Sequence, residues 1–219
     1  MAEKTPVMCV SLDNCIVGGD SLHKLASFLK GYGLRHGKLG LVRRIYSLSH
    51  SRKNLEISQR RFKFELSRTL RAIKDKTLAE KFARKLLPSL NPKVIGMMEE
   101  YRKKGGKVAV VTSAPAEYAV PLCAHVEADI CIATPSLSEF RMRYPHDPID
   151  YEECAGTEKI VRLQEWADGN GLVLRTIVSG EPDELPLLLL PDVESRYLVS
   201  PTNHMRRHLR RYNVFYETL

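Results

Sequence analysis

"VSLDNCIVGGDS", residues 10–21, is the stretch on which the reading of this chain turns. The run that leads into it, Val7-Met8-Cys9-Val10, is short and apolar, as a strand buried on both faces requires. Gly18-Gly19-Asp20 marks a turn, so the strand is predicted to stop near Ser11. A hydroxyl at Ser11 and a carboxylate at Asp13 then stand at the strand's carboxyl end. Cys9 and Cys15 flank that end and read as small buried side chains rather than metal ligands.

From residue 21 to about 104 the helical period takes over. "SLHKLASFLKGYG" sets Leu22, Leu25, Ala26 and Leu29 at i, i+3, i+4 and i+7, with Ser21 as the expected N-cap. "NLEISQRRFKFELSRTLRAI" repeats the pattern through Leu55, Phe62, Leu66 and Leu70, opened by Asn54. "TLAEKFARKLL" carries Leu78, Phe82, Ala83 and Leu86 until Pro88 stops it. Asn91, Pro92 and Gly105 give the next helix its cap, first turn and terminator.

After residue 106 the period changes. "KVAVVTSAP", "ADICIATP", "LVLRTIVSG" and "RYLVSP" read as strands, the last as the final core strand. "GTEKIVRLQEWADGNG" is a helix and "EPDELPLLLLP" a turn with a short helix. Strands apolar on both faces that alternate with helices argue for an α/β fold, a parallel-sheet, Rossmann-like core covered by helices. Ligands of such sheets bind outside the carboxyl ends of the strands. Ser11, Asp13, Thr112, Ser113, Ser179 and Gly180 are all expected there.

The 219 residues allow one large domain or a core with an inserted module. No apolar run approaches the roughly 20 residues that span a bilayer. "MAEKTPVMCVSLDN" lacks the long apolar stretch of a signal peptide. Five cysteines without a CxxC pair suggest reduced thiols and a cytoplasmic location. The net charge of +8 is unevenly spread. Between Lys24 and Lys85 the acids are Glu56, Glu65, Asp75 and Glu80, and Lys and Arg far outnumber them. The expected division is a core from residues 1–20 and 91–219, and a basic helical cap from residues 21–90.

These pieces, in this order, resemble the haloacid dehalogenase (HAD) superfamily, in its phosphoserine-phosphatase-like branch with a helical cap after the first strand. The resemblance covers nearly the whole chain. The family's first motif, Asp-x-Asp-Gly-Thr-Leu after an apolar strand, reads here Ser11-Leu12-Asp13-Asn14-Cys15-Ile16, followed by Gly19-Asp20-Ser21. The second, a strand ending in Ser or Thr, is met by Thr112. The third, a Lys opening a helix, is met by Lys159 in "ECAGTEKIVRLQEW". The fourth, Gly-Asp-x-x-x-Asp, reads "SGEPDELPLL", with Gly180 at its first Asp and Glu184 at its second.

The departures all strike one function. In the family the first Asp attacks phosphorus and forms an aspartyl-phosphate. An ionised carboxylate needs no base for that. The hydroxyl of Ser11, at the nucleophile position, does, and Asp13 two residues away is poorly aimed to serve it. The same Asp, with a motif-four Asp, holds Mg²⁺, which demands near-octahedral oxygen ligands. Gly180 supplies no side chain. Asp13 keeps the acid/base position, while Thr112 and Lys159 keep the phosphate-binding ones. Glu181, Asp183 and Glu184 offer substitute carboxylates, so the metal set on this reading is Asp13, Glu181 and Glu184. Losing a nucleophile from a cooperating set removes most of a rate enhancement.

The resemblance therefore implies a catalytically inactive phosphatase fold that binds a phosphorylated small molecule or phosphate, with Mg²⁺ weak or absent. One alternative is a Mg²⁺-dependent phosphomonoester hydrolase with a remodelled site. Another is an interaction module whose basic cap recruits a polyanion or acidic protein. In that cap Arg43, Arg44, Arg60 and Arg61 flank the apolar stripe, with Tyr46, Phe62 and Phe64 nearby, a pattern that suits phosphate polymers or anionic lipid. His204 and His208, at i, i+4 in "HMRRHLRRY", have metal-ligand spacing, but the arginines around them favour a plain basic surface helix.

Overall fold

A computed structural model describes residues 4–136 and 153–219. Strands β1 (Thr5–Ser11), β2 (Lys107–Pro115), β3 (Ile130–Thr134), β4 (Leu172–Ser179), β5 (Ser195–Leu198) and β6 (Glu217–Thr218) form one sheet in the order β3-β2-β1-β4-β5-β6. Every neighbouring pair is parallel. The register sets Ser11 opposite Val111 and Val10 opposite Val178. Ser11, Thr112 and Ser179 thus come to the same end of three adjacent strands.

Side chains alternate across the sheet, as a two-residue period requires. Met8, Val10, Val108, Val110 and Val178 face one core. That core is shared with α1 (Ser21–Arg35), α3 (Gln59–Ala72), α4 (Leu78–Leu86), α5 (Pro92–Lys103) and α6 (Ala116–His125). Val7, Cys9, Ala109, Val111 and Ile177 face the other, against α7 (Thr157–Gly169), α8 (Leu185–Leu188) and α9 (Asn203–Arg211). The sheet is buried on both sides, which explains its unbroken apolar strands. All five cysteines are free thiols. No helix among the described residues is long and apolar enough to cross a membrane.

Four helices, with α2 (Leu39–Lys53) after α1, follow β1 before the chain returns through α5. Their entry and exit are pinned together. Val17 bridges Leu90, the Gly18 amide donates to the Ser89 carbonyl at 2.9 Å, and the Asn91 amide to the Ile16 carbonyl at 2.8 Å.

Several local expectations are corrected. The N-cap of α1 is Asp20, not Ser21: its carboxylate accepts the amides of Leu22 and His23 at 2.8 and 3.0 Å. Ser21 is turned inward, its hydroxyl 2.8 Å from that of Tyr118. Asn54 closes α2 instead of opening α3, which Ser58 caps by accepting the Arg61 amide. Leu55 leaves the apolar stripe, exposed and with a φ of 60°, because it lies in the turn between those helices. β5 is the last strand that reaches the core, and β6, two exposed residues that the sequence reading misses, adds an edge beyond it.

Candidate functional site

Ser11 ends β1 with its hydroxyl donating to Glu184 Oε2. Ser179, at the end of the neighbouring β4, donates to the same oxygen at 2.6 Å. The other carboxylate oxygen, Oε1, accepts from Lys159 Nζ at 2.8 Å. Lys159 and Glu184 are 1 and 2 % exposed. A buried carboxylate held by one ammonium and two hydroxyls is a closed arrangement: charge is paired and the lone pairs are satisfied. The turn that delivers Glu184 is a single 3-10 turn, Pro182–Glu184, directly before α8.

Gly180 sits where β4 passes the loop after β1. A β-carbon built there would lie 2.0 Å from the Asn14 carbonyl oxygen and 2.5 Å from its carbon. Asn14 itself has a φ of 53°, which Asn tolerates better than most residues. Its side-chain amide donates to Glu181 Oε1 at 3.2 Å.

Asp13 accepts the Ser21 amide at 2.6 Å. Burial pushes its carboxyl up to about 6, against hydrogen bonds from Ser21 that pull the other way. Thr112, buried on β2, accepts the Ala114 amide at 3.0 Å. Burial also pushes the Cys9 and Cys15 thiols up, so neither offers a thiolate.

Beside this closed centre lies a cavity of about 270 Å³. Asp13, Asp20, Glu153, Glu181 and Lys63 supply its charged wall, with Ser113, Gln59 and Tyr118 among the rest. Lys63 comes from α3, is 2 % exposed, and ion-pairs with Glu153 across the gap between the helical segment and the sheet. Lys159 and Glu184 do not line the cavity.

Of the residues singled out in the sequence, Ser11, Lys159 and Glu184 are brought together. Asp13 stands in the adjacent cavity, and Thr112 is turned to its own backbone. The three acids put forward as metal ligands do not converge: Asp13 turns to Ser21, Glu181 to Asn14, and Glu184 to its three donors. Among the described residues no group of three His, Cys, Asp or Glu is placed to hold a metal ion. The Asp183 side chain lies outside the described residues. Ser179 stands at the strand end where the sequence places it, whereas Lys63 and Glu153 are site residues that the sequence reading misses. Of these two, Lys63 has a signal: Gln59, Lys63, Leu66 and Leu70 share a helical stripe, and a lysine inside an apolar stripe must find a partner.

The profile of the haloacid dehalogenase-like hydrolase family matches residues 12–179. The chain belongs to that family. The HAD-like chain also superposes on solved structures over almost its whole length. A protein of unknown function from Bordetella pertussis Tohama I is 18 % identical with a TM-score of 0.76, covering 99 % of both chains. A HAD family hydrolase from Salmonella enterica serovar Typhi is 11 % identical at 0.64, over 98 % of this chain and 67 % of that one. A substrate-bound phosphoserine phosphatase is 10 % identical at 0.59, over 97 % and 99 %. The HAD-like fold is thus of the phosphoserine-phosphatase type. No curated protein sequence matches the chain.

Proposed function

We propose that this HAD-like protein is a non-hydrolytic member of its family that holds a small anionic molecule, phosphorylated or carboxylated, in the cavity beside Asp13 and Lys63. The placement of Glu184 carries the first half of this reading. Its carboxylate takes the donors of Ser11, Ser179 and Lys159 that an incoming oxyanion would need. A phosphoryl group reaching Ser11 would have to break a buried ion pair and meet a like charge. Mg²⁺, the metal of HAD phosphatases, does not fit the residues present: position 11 lacks a carboxylate, Gly180 has no room for a side chain, and Glu184 is engaged.

Lys63 supports the second half. It is a buried ammonium on the cavity wall that can exchange Glu153 for a ligand oxygen. The remaining wall acids, Asp13, Asp20 and Glu181, repel a bare phosphate, so the ligand also carries an amino group.

The test is paired. Turnover of p-nitrophenyl phosphate with Mg²⁺ should be absent, and Mg²⁺-dependent turnover abolished by Asp13→Asn would overturn the non-hydrolytic reading. Calorimetric titration should show O-phosphoserine binding more tightly than inorganic phosphate, with both weakened by Lys63→Met. Unchanged binding in that variant would remove the ligand from this cavity.

A further inference from the structure

Helix α9 and the chain just beyond it serve neither the closed centre nor the cavity. From Ser195 to Tyr216 there is no Asp or Glu and there are five arginines. Arg196 has a structural task, donating to the carbonyls of Leu188, Val193 and Leu190. The other four, Arg206, Arg207, Arg210 and Arg211, are exposed on α9 and make no ion pair among the described residues. They form two i, i+4 pairs, Arg206 with Arg210 and Arg207 with Arg211. Like charges at that spacing cost helix stability. The helix C-terminus favours Arg210 and Arg211 in its last turn, and Arg206 and Arg207 donate to the Pro201 and Asn203 carbonyls, but no carboxylate among the described residues pairs with any of the four.

Aromatic rings run along the flank of this cationic face. His204 and His208 stack at 5.9 Å between centroids, and His208 meets Tyr212 at 5.1 Å. Three residues on, Phe215 is 89 % exposed while its neighbours Val214 and Tyr216 pack against the core. Tyr212 is itself 54 % exposed. Regularly spaced rings beside exposed guanidiniums that have no acidic partner among the described residues match a single strand of bases and phosphates. An anionic membrane is a poorer fit. The aliphatic residues of α9, Met205 and Leu209, are fully buried in the core, which leaves none to enter a bilayer.

We propose that the outer face of α9, with Tyr212 and Phe215 beyond its end, is a docking surface for single-stranded nucleic acid. The arginines neutralise phosphates and the rings stack on bases, without reading sequence. The surface is independent of the cavity and of whether the protein hydrolyses anything.

The experiment is fluorescence anisotropy of a labelled oligouridylate against full-length protein over a salt series. Each neutralised phosphate contributes a log–log slope of about −0.7 on a single strand, so four arginines predict a slope of about −3. Arg210→Gln/Arg211→Gln should roughly halve that slope. Tyr212→Ala/Phe215→Ala should weaken binding about tenfold with the slope unchanged, because stacking is not a salt-dependent contact. Arg43→Gln/Lys53→Gln on α2 should change nothing, and far-UV circular dichroism checks that each variant is folded. The proposal fails if no binding is seen at low salt, or if the α2 variant abolishes it. It fails equally if heparin, which has no bases, binds as tightly and the aromatic variant loses nothing. Capture by phosphatidylglycerol vesicles with no oligonucleotide bound would assign the face to a membrane instead.

Discussion

The Asn14 carbonyl oxygen lies 2.0 Å from where a β-carbon on Gly180 would stand, and this one approach decides what motif four can hold. Both atoms in conflict belong to backbone, so a side chain at position 180 forces β4 and the loop after β1 apart. Gly180→Ala is expected to cost about 1–3 kcal/mol, the range of overpacked sites, measured by urea denaturation. Gly180→Asp should cost more and should not create a metal site. An Ala variant as stable as wild type would show that the loop yields freely.

Placing a carboxylate at position 11 is also expected to be destabilising. Ser11 touches the Glu184 carboxylate, so Ser11→Asp sets two buried carboxylates against each other. The single variant should lose stability, and Ser11→Asp/Glu184→Ala should regain part of it because Lys159 then has a new acid to pair with. Thermal unfolding of the three proteins checks the order.

The Lys159–Glu184 pair is predicted to be costly to break and cheap to replace. Lys159→Met strands a buried carboxylate and should cost about 3–5 kcal/mol. In Lys159→Met/Glu184→Gln the amide can still accept from Ser11 and Ser179, and most of the loss should return. A double variant no better than the single one would mean that the ion pair itself, and not the stranded charge, sets the cost.

Asp13 gives a pH dependence whose sign follows from burial. Its folded value, about 6, lies above the ordinary 3.8, so the folded state holds the proton more tightly. The associated stability is fully present below about pH 4 and is lost as pH rises through about 6, by roughly 3 kcal/mol. Asp13→Asn keeps an acceptor for the Ser21 amide and removes the charge. It should therefore be more stable than wild type at pH 7.5, with the advantage vanishing near pH 4. Denaturant midpoints at several pH values test this.

Glu65 predicts which arginines of the basic segment are structural. It is nearly buried and is clamped by Arg44 at 2.9 Å, Arg61 at 2.8 Å and Arg68 at 3.7 Å. Arg44→Gln/Arg61→Gln leaves that carboxylate only the distant Arg68 and should cost about 1–3 kcal/mol. Arg43, exposed on the outer face of α2, should be neutral within about 0.5 kcal/mol when changed to Gln. Flanking the apolar stripe is therefore not the same as being dispensable, since two of the four flanking arginines hold a buried acid.

Where chain-local physics suffices, the sequence was legible. β2 runs over Lys107–Pro115 as its apolar run predicts, and Asn91 and Pro92 open α5 as their side chains dictate. Local physics also misled. Asn54 is as good an N-cap by type as Ser58, and only the bend between α2 and α3 makes it a C-cap. Asp20 won over Ser21 because a carboxylate can take two amides, which freed the serine hydroxyl for Tyr118.

The sequence by itself determined the apolar strands β1 to β5 and their alternation with helices, the covered parallel sheet, and the absence of a carboxylate at positions 11 and 180, but not α2, α6 or β6 as separate elements. Those features rest on residue type and on periods of two and 3.6, which any short window displays. Only the tertiary structure decided what surrounds Ser11. Ser11 and Glu184 are 173 residues apart in the chain. Their contact exists because β1 and β4 pair in parallel, with a register shift after Val7 that sets Val10 opposite Val178, and a single turn after Gly180 swings Glu184 inward. Lys63, on α3, and Glu153, 90 residues later and before α7, likewise meet only in the folded chain. A hydrogen bond or an ion pair depends on ångström-scale distances, and those are fixed by packing that no local pattern encodes.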